Sequence, residues 1–333
     1  EDFYQALKKV KEYTGSDYVW SDQYQFGCTM NLAASVYGVT GGNSQDGGDW
    51  GLKDGMKFDF DKNEFYFADT TDEYKEYLTL FNKMYEEGIL DPETFTQDSA
   101  QAQAKFYRGE SYVLTVNYQQ VADIQSQNKM QVDGADLYFM TTPGGPEGQM
   151  KLSSYAGRLE NGIMITTNAL EELGEKEFIK MLRFIDWLWY SDEGQTLCLW
   201  GVEGETYTKD ANGTITLNPD IYFNGINPGA EKQLNVDYGF GGGVFAYGGS
   251  KELQYSKFSE GEKEWNERID ANKENAKLMP PVLADELEKE EMNLIKVSLM
   301  DYVNTAALEF ISGKRDLDKD WDAYVADCES KGS

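Results

Sequence analysis

The stretch 72–87 constrains this chain most. Tyr74, Tyr77, Leu78, Phe81, Met84 and Tyr85 recur there at the spacing of one helix face, and Gly88 followed by Ile89-Leu90-Asp91-Pro92 closes the run. A helix with so wide an apolar stripe must lie against another layer, and the flanking sequence says which kind. Before it, Phe58 and Phe60 alternate with polar neighbours, Asp61-Lys62-Asn63-Glu64 turn the chain, and Phe65 and Phe67 alternate again, which predicts a β-hairpin. After it, a short helix over 100–107 leads through Arg108-Gly109 into Ser111-Tyr112-Val113-Leu114-Thr115-Val116, whose content predicts a buried strand.

The same alternation runs through the rest of the chain. Phe3, Leu7, Val10 and Tyr13 predict a helix over 2–13 that stops at Gly15; an amphipathic helix starting so abruptly suggests an upstream portion for it to pack on. Residues 27–55 read as Gly-rich and irregular, with Gly41-Gly42-Asn43 and Gly47-Gly48-Asp49-Trp50-Gly51. Short strands are expected at 137–140 and 162–166, and Thr141-Thr142-Pro143-Gly144-Gly145-Pro146 reads as a loop or crossover. Helices are expected over 175–190, 191–199, 257–275, 283–313 and 320–329, and a hairpin over 207–217 around Asp210-Ala211-Asn212-Gly213. Strands interleaved with helices along the whole length predict α/β architecture, and no internal repeat is visible.

Composition narrows the chemistry. The 333 residues, 40% of them hydrophobic, suffice for about two domains. No apolar run reaches the ~20 residues that span a bilayer, and the sequence opens at Glu1 with no signal-peptide pattern, as expected for a mature or trimmed product. A net charge of -29 repels phosphates, which argues against a nucleic-acid partner. Histidine is absent, removing imidazole-based nucleophile activation and zinc sites. Cys28, Cys198 and Cys328 are too far apart for a paired metal or redox motif, and read as small buried or idle thiols.

The aromatic residues are the candidate binding elements: Trp20, Trp50, Tyr118, Tyr155, Trp200, Tyr238, Phe240, Phe245 and Tyr247 fall in Gly-rich or loop contexts rather than in stripes. A sugar has a C–H face that packs on a flat ring and a hydroxyl rim that carboxylates, amides and arginines can hold. Tyr118 stands where the expected strand 111–116 gives way to a helix, the end at which open α/β sheets collect ligands. Arg158, after Ser153-Ser154-Tyr155-Ala156-Gly157, could hold a uronate or the hydroxyl rim, or serve a structural ion pair. Asp59-Phe60-Asp61-Lys62-Asn63 begins like a calcium loop, but has Glu64 where glycine is needed and Thr70 where a bidentate glutamate is needed; it reads as a hairpin turn. Residues 239–249 lack the Lys-Ser/Thr pair of a phosphate loop. No metal and no cofactor is expected, and no catalytic residue is assigned. The 59 acids leave room for a carbohydrate-active hydrolase using a carboxylate pair, and a surface adhesion module is a further alternative.

Several segments, in order along the chain, carry a resemblance. They are Asp2-Phe3-Tyr4-Gln5-Ala6-Leu7-Lys8, then Leu80-Phe81-Asn82-Lys83-Met84-Tyr85-Glu86-Glu87-Gly88-Ile89-Leu90-Asp91-Pro92-Glu93, and Trp187-Leu188-Trp189-Tyr190-Ser191-Asp192-Glu193-Gly194. Trp200-Gly201-Val202-Glu203-Gly204-Glu205-Thr206-Tyr207 and Phe310-Ile311-Ser312-Gly313-Lys314-Arg315 with Asp320-Trp321-Asp322-Ala323-Tyr324 complete the set. In these the chain resembles the extracellular solute-binding proteins (family 1, lipoprotein branch) of ABC-type oligosaccharide importers. The resemblance implies a periplasmic-binding-protein-like (type II) two-lobe α/β fold, closing by a hinge on a solute in the cleft, here lacking much of the first lobe.

It further implies a second lobe over 1–142, a crossover with segments returning to the first lobe over 143–255, and C-terminal helices packing across both over 256–333. Trp50 and Tyr118 would line the second-lobe wall, and Arg158 with the loop carrying Trp200 and Glu203 would sit near the crossover. By the same resemblance the expected partners are an oligosaccharide and a membrane permease. The protein is expected to be monomeric and extracellular, lipid-anchored at the cell surface in its full-length form.

Overall fold

The computed structural model describes residues 1–39, 55–126, 129–152, 163–242, 249–275, 280 and 283–333. In chain order the helices are α1 (Asp2–Thr14), α2 (Gly27–Tyr37), α3 (Asp72–Glu86), α4 (Ser99–Tyr107), α5 (Tyr118–Ser126), α6 (Ala169–Tyr190), α7 (Asp192–Trp200), α8 (Leu234–Asp237), α9 (Lys251–Ser256), α10 (Glu260–Asp270), α11 (Glu286–Ile311) and α12 (Trp321–Ser330). The strands are β1 (Met56–Asp59), β2 (Glu64–Phe67), β3 (Met150–Leu152), β4 (Tyr207–Lys209), β5 (Ile215–Leu217), β6 (Ile221–Tyr222), β7 (Lys232–Gln233) and β8 (Lys273–Asn275). They form two compact units: 1–115 with 130–156 and 268–333, and 116–129 with 157–267. The sequence suggested divisions at 142 and 255, whereas these units are discontinuous and one division falls inside α10.

The first unit is built around α3. Thr71 caps its start by accepting from Tyr74 N, and Asp72 and Glu73 at the first turn and Lys83 at the last suit the helix dipole. Its stripe of Tyr74, Tyr77, Leu78, Phe81 and Met84 is buried against α2 and α11, in one core with Leu299, Val303, Phe310, Trp321 and Tyr324. The helix ends where Gly88 takes φ 64, and Lys11 reaches over it to donate to the carbonyls of Glu87 (2.9 Å) and Gly88 (2.7 Å). A Cβ at Gly88 would displace the Lys11 amine from these carbonyls, and the left-handed conformation itself favours glycine there.

The flat layer in this unit is short. Trp20 makes parallel bridges to Leu90 on one side and Val113 on the other. Val19 N and Trp20 N donate to Ile89 O (3.0 and 2.9 Å), Asp91 N to Trp20 O (2.8 Å), and Tyr112 N to Val19 O (2.9 Å). The expected strand over 111–116 is thereby corrected to a single bridged residue, Val113. Side chains take over the ladder: Ser21 N donates to Ser111 Oγ and Thr115 N to Asp22 Oδ1.

Three further expectations change. Residues 27–37, read as irregular, form α2, with Met30 and Ala34 buried in the core. Residues 137–140 and 163–166 have no ladder partner among the described residues, and Met164 is 97% exposed. Lys273, Glu274 and Asn275, expected to continue a helix, pair in parallel with Met150, Lys151 and Leu152 instead. The hairpin β1–β2 is as the alternation predicts, with Asn63 at φ 57 in its turn.

The second unit has its own core of Leu199, Trp200, Tyr207, Leu217, Ile221, Phe223 and Leu234. The hairpin β4–β5 forms as expected: Asp210 Oδ1 accepts from Asn212 N (2.9 Å) and Thr214 N (2.8 Å), and Gly213 takes φ 87. Helix α6 begins at Ala169, six residues ahead of the expected start at 175, but is interrupted at Gly174 (φ 72, ψ 156).

Candidate ligand-binding site

The chain leaves the short parallel layer through Ser21, Asp22 and Gln23, all buried, and this carboxyl end holds a connected polar network. Asp22 Oδ1 accepts from the backbone N–H of Gln23 (2.9 Å) and Thr115 (2.8 Å). Its Oδ2 accepts from Trp20 Nε1 (3.2 Å) and from the hydroxyls of Thr29 and Thr115 (each 2.5 Å). Burial pushes the Asp22 carboxyl above its ordinary pKa, and the hydrogen bonds from Thr115, Thr29 and the two backbone groups oppose that rise. A second carboxylate lies beside it: Asp91 accepts from Ser21 Oγ (2.7 Å), Lys105 Nζ (2.7 Å) and Glu93 N (2.9 Å). Desolvation works to lower the Lys105 pKa, but the bonds to Asp91 and Glu93 outweigh it and hold the ammonium above its usual value. Gln97 ties the two groups by donating to Ser21 Oγ (2.7 Å) and Asp22 O (3.1 Å).

Immediately after this network the backbone turns the wrong way. Tyr24, Gln25 and Phe26 have φ of 55, 51 and 66, three successive left-handed residues with no glycine among them. Each costs about 1–2 kcal/mol relative to a right-handed conformation, and such strain persists only where the surroundings over-determine it. Here they do. Phe26 is fully buried, its ring meeting Trp20, Phe81 and Phe95 edge-on at 5.1, 5.4 and 5.6 Å. Tyr24 N donates to Ser99 Oγ (3.2 Å), and Gln23 donates to Thr115 O while its Oε1 accepts from Gln103 Nε2 (2.9 Å). Tyr24 itself, between these anchors, remains 38% exposed.

Trp20 and Trp200, expected to contact ligand from loops, are core residues. Trp20 is 6% exposed between Phe3 and Phe26, and Trp200 is 1% exposed with its Nε1 donating to Ser256 Oγ (3.1 Å). Rings so enclosed present no open face for a sugar; they support the segments around them. Glu203 is exposed, in a loop that Thr206 organises by accepting from Val202 N (2.9 Å) and donating to Trp200 O (2.6 Å). Gly201 in that loop takes φ 85, and a Cβ there would strike Phe240 and Thr206 at 2.6 Å, so Phe240 packs on the loop.

Tyr118 opens α5, whose first turn is closed by reciprocal bonds between Asn117 and Gln120 (3.3 and 3.0 Å). The Tyr118 side chain lies outside the described residues, as do Trp50, Tyr155, Arg158, Phe245 and Tyr247 entirely. Sequence reading missed Tyr24 and Asp22, and Gln-Tyr-Gln-Phe carries no turn signal that would have exposed them. Asp59 uses its carboxylate to hold the hairpin turn, accepting from Asp61 N (2.9 Å) and Lys62 N (3.0 Å) and pairing with Lys62 Nζ (3.3 Å). Among the described residues there is no acidic, cysteine or histidine cluster able to hold a metal, and no helix long and apolar enough to cross a membrane.

No family model matches the sequence. The chain is 30% identical over 143 residues to lipoprotein LipO of Bacillus subtilis (strain 168), a stretch covering 41% of this chain and 27% of that protein. Its structure is similar to that of the alginate-binding protein AlgQ2, with TM-score 0.64 and 15% identity over 99% of this chain and 64% of that one. It is similar as well to an HMO-binding, ABC-transporter-associated solute-binding protein of Bifidobacterium longum infantis, with TM-score 0.54 and 17% identity over 95% and 62%. A third similar structure is the ABC-transporter substrate-binding protein FusA of S. pneumoniae in complex with fructo-nystose, with TM-score 0.50 and 17% identity over 95% and 59%. The chain thus spans less than two thirds of the length of each of these proteins. Across nearly all of its own length, it has the α/β fold of these three binding proteins.

Proposed function

We propose that this chain is the greater part of an extracellular solute-binding protein that captures an oligosaccharide for an ABC-type importer and hands it on unchanged. One observation carries the reading: the chain matches, over 95–99% of its length, three proteins whose named ligands, alginate, HMO and fructo-nystose, are all saccharides. The likeness to a lipoprotein supports a cell-surface location with a lipid anchor in the full-length protein. A membrane permease is the partner this reading requires, and a monomer suffices for capture. In an open α/β layer ligands collect at the carboxyl end of the strands, the end that the buried Asp22 and Asp91 network fixes in place here. Tyr118, Trp50, Tyr155, Arg158, Glu203 and Tyr247 are proposed as ligand contacts, with Trp20 and Trp200 shaping the segments that carry them.

The test is calorimetric titration of the protein with a panel of uronate, fructan and milk-type oligosaccharides, with the sugar recovered and chromatographed afterwards. Saturable binding with intact sugar is expected. Shortened products that vanish on replacing one acid would make the protein a hydrolase. No thermal or calorimetric response to any oligosaccharide, with binding only to another protein, would make it an adhesion module.

A further inference from the structure

We infer that Tyr24 is a sugar-stacking residue of this protein, presented by the left-handed turn Tyr24-Gln25-Phe26; the inference rests on the oligosaccharide reading above. Three observations converge on it. The turn stands at the carboxyl end of the parallel segments 18–22, 89–91 and 111–115, where an open α/β layer offers its ligand-binding edge. Its three non-glycine residues are held at φ 55, 51 and 66, in a conformation that contributes nothing to stability by itself. The anchoring is also asymmetric. Phe26 is buried among three rings and Asp22 is fastened by five donors, but Tyr24 between these fixed points stays 38% exposed as a residue.

A fold that needed only to fill its core would turn Tyr24 inward or relax the turn with a glycine. Holding a flat amphipathic ring rigidly at the surface suits a ligand whose C–H face packs on the ring, because the ordering cost has been met before binding. The neighbouring polar groups hold the turn in place. Gln23, 1% exposed, donates to Thr115 O and accepts from Gln103 Nε2, so its amide serves to fix the backbone that carries Tyr24.

The experiment compares the protein with Tyr24→Ala, Tyr24→Leu and Tyr24→Phe, by calorimetry with whichever oligosaccharide of the uronate, fructan and milk-type panel binds the parent, and by thermal unfolding. Tyr24→Ala and Tyr24→Leu should weaken binding by about three- to tenfold, the range expected for one lost ring contact. Tyr24→Phe, which keeps the face, should bind within about twofold of the parent, a smaller change than one ring contact is worth. Tyr24→Leu keeps the apolar bulk, so it reads affinity even if Tyr24→Ala unfolds the turn. A parent that binds while Tyr24→Leu binds equally well would overturn the role of Tyr24 and leave the oligosaccharide reading intact. A parent that binds no oligosaccharide would overturn both.

Discussion

The rings of Tyr74 and Tyr77 lie stacked, 5.5 Å apart and within 19° of parallel, but only one of their two buried hydroxyls is satisfied. Tyr77 donates to Met30 O at 3.2 Å, whereas the Tyr74 hydroxyl has no hydrogen-bond partner among the described residues. An unpaired buried hydroxyl costs free energy that its removal returns. Tyr74→Phe should therefore raise stability by about 1 kcal/mol, and Tyr77→Phe, which removes a buried hydrogen bond to the Met30 carbonyl, should lower it by about the same amount. Urea unfolding of the two variants checks the pair; a destabilised Tyr74→Phe would contradict it.

Asp22 fastens the end of the parallel layer through five donors, two of them backbone N–H groups that the ladder does not use. Asp22→Ala leaves those donors buried and unmet and should cost about 3 kcal/mol. Asp22→Asn keeps the volume, but sets an amide against donors, and should fall between the parent and the alanine variant. Denaturant midpoints rank the three.

Glu262 in α10 is 7% exposed, and its Oε2 has no hydrogen-bond partner among the described residues. Burial raises its pKa to about 7, a rise that the Lys257 charge opposes. Because the folded value lies above the ordinary 4.5, the protonated form is the one folding favours. The stabilising contribution is complete below about pH 4.5 and is lost as pH climbs through about 7. Glu262→Gln should flatten this slope, being more stable than the parent at pH 8 and close to it at pH 4. Thermal unfolding across that range decides, and an unchanged slope would contradict the assignment.

Much of the fold was legible because its signals are local. The α3 stripe, the Asp61–Glu64 and Asp210–Gly213 turns and the two C-terminal helices are each written within a few neighbouring residues. What was missed depends on distant partners. Trp20 looked like a loop aromatic because Leu90 and Val113, which make its segment the centre of a layer, lie far along the chain. The strand expected at 111–116 gave way to Ser111 and Asp22 side-chain bonds that no periodicity encodes. Helix α2 was hidden by Gly27 and by small residues that gave it no wide apolar stripe. Tyr24 was invisible because left-handed turns are recognised by glycine or asparagine, and this one has neither.

The most direct measurement is calorimetric titration of the protein with size-graded oligosaccharides, followed by chromatography of the recovered sugar. Saturable heat, with every sugar molecule recovered at its original length, is the predicted result. Titrations without saturable heat across the whole panel, or recovery of shortened sugar, would contradict the claim that this chain captures an oligosaccharide and releases it unaltered.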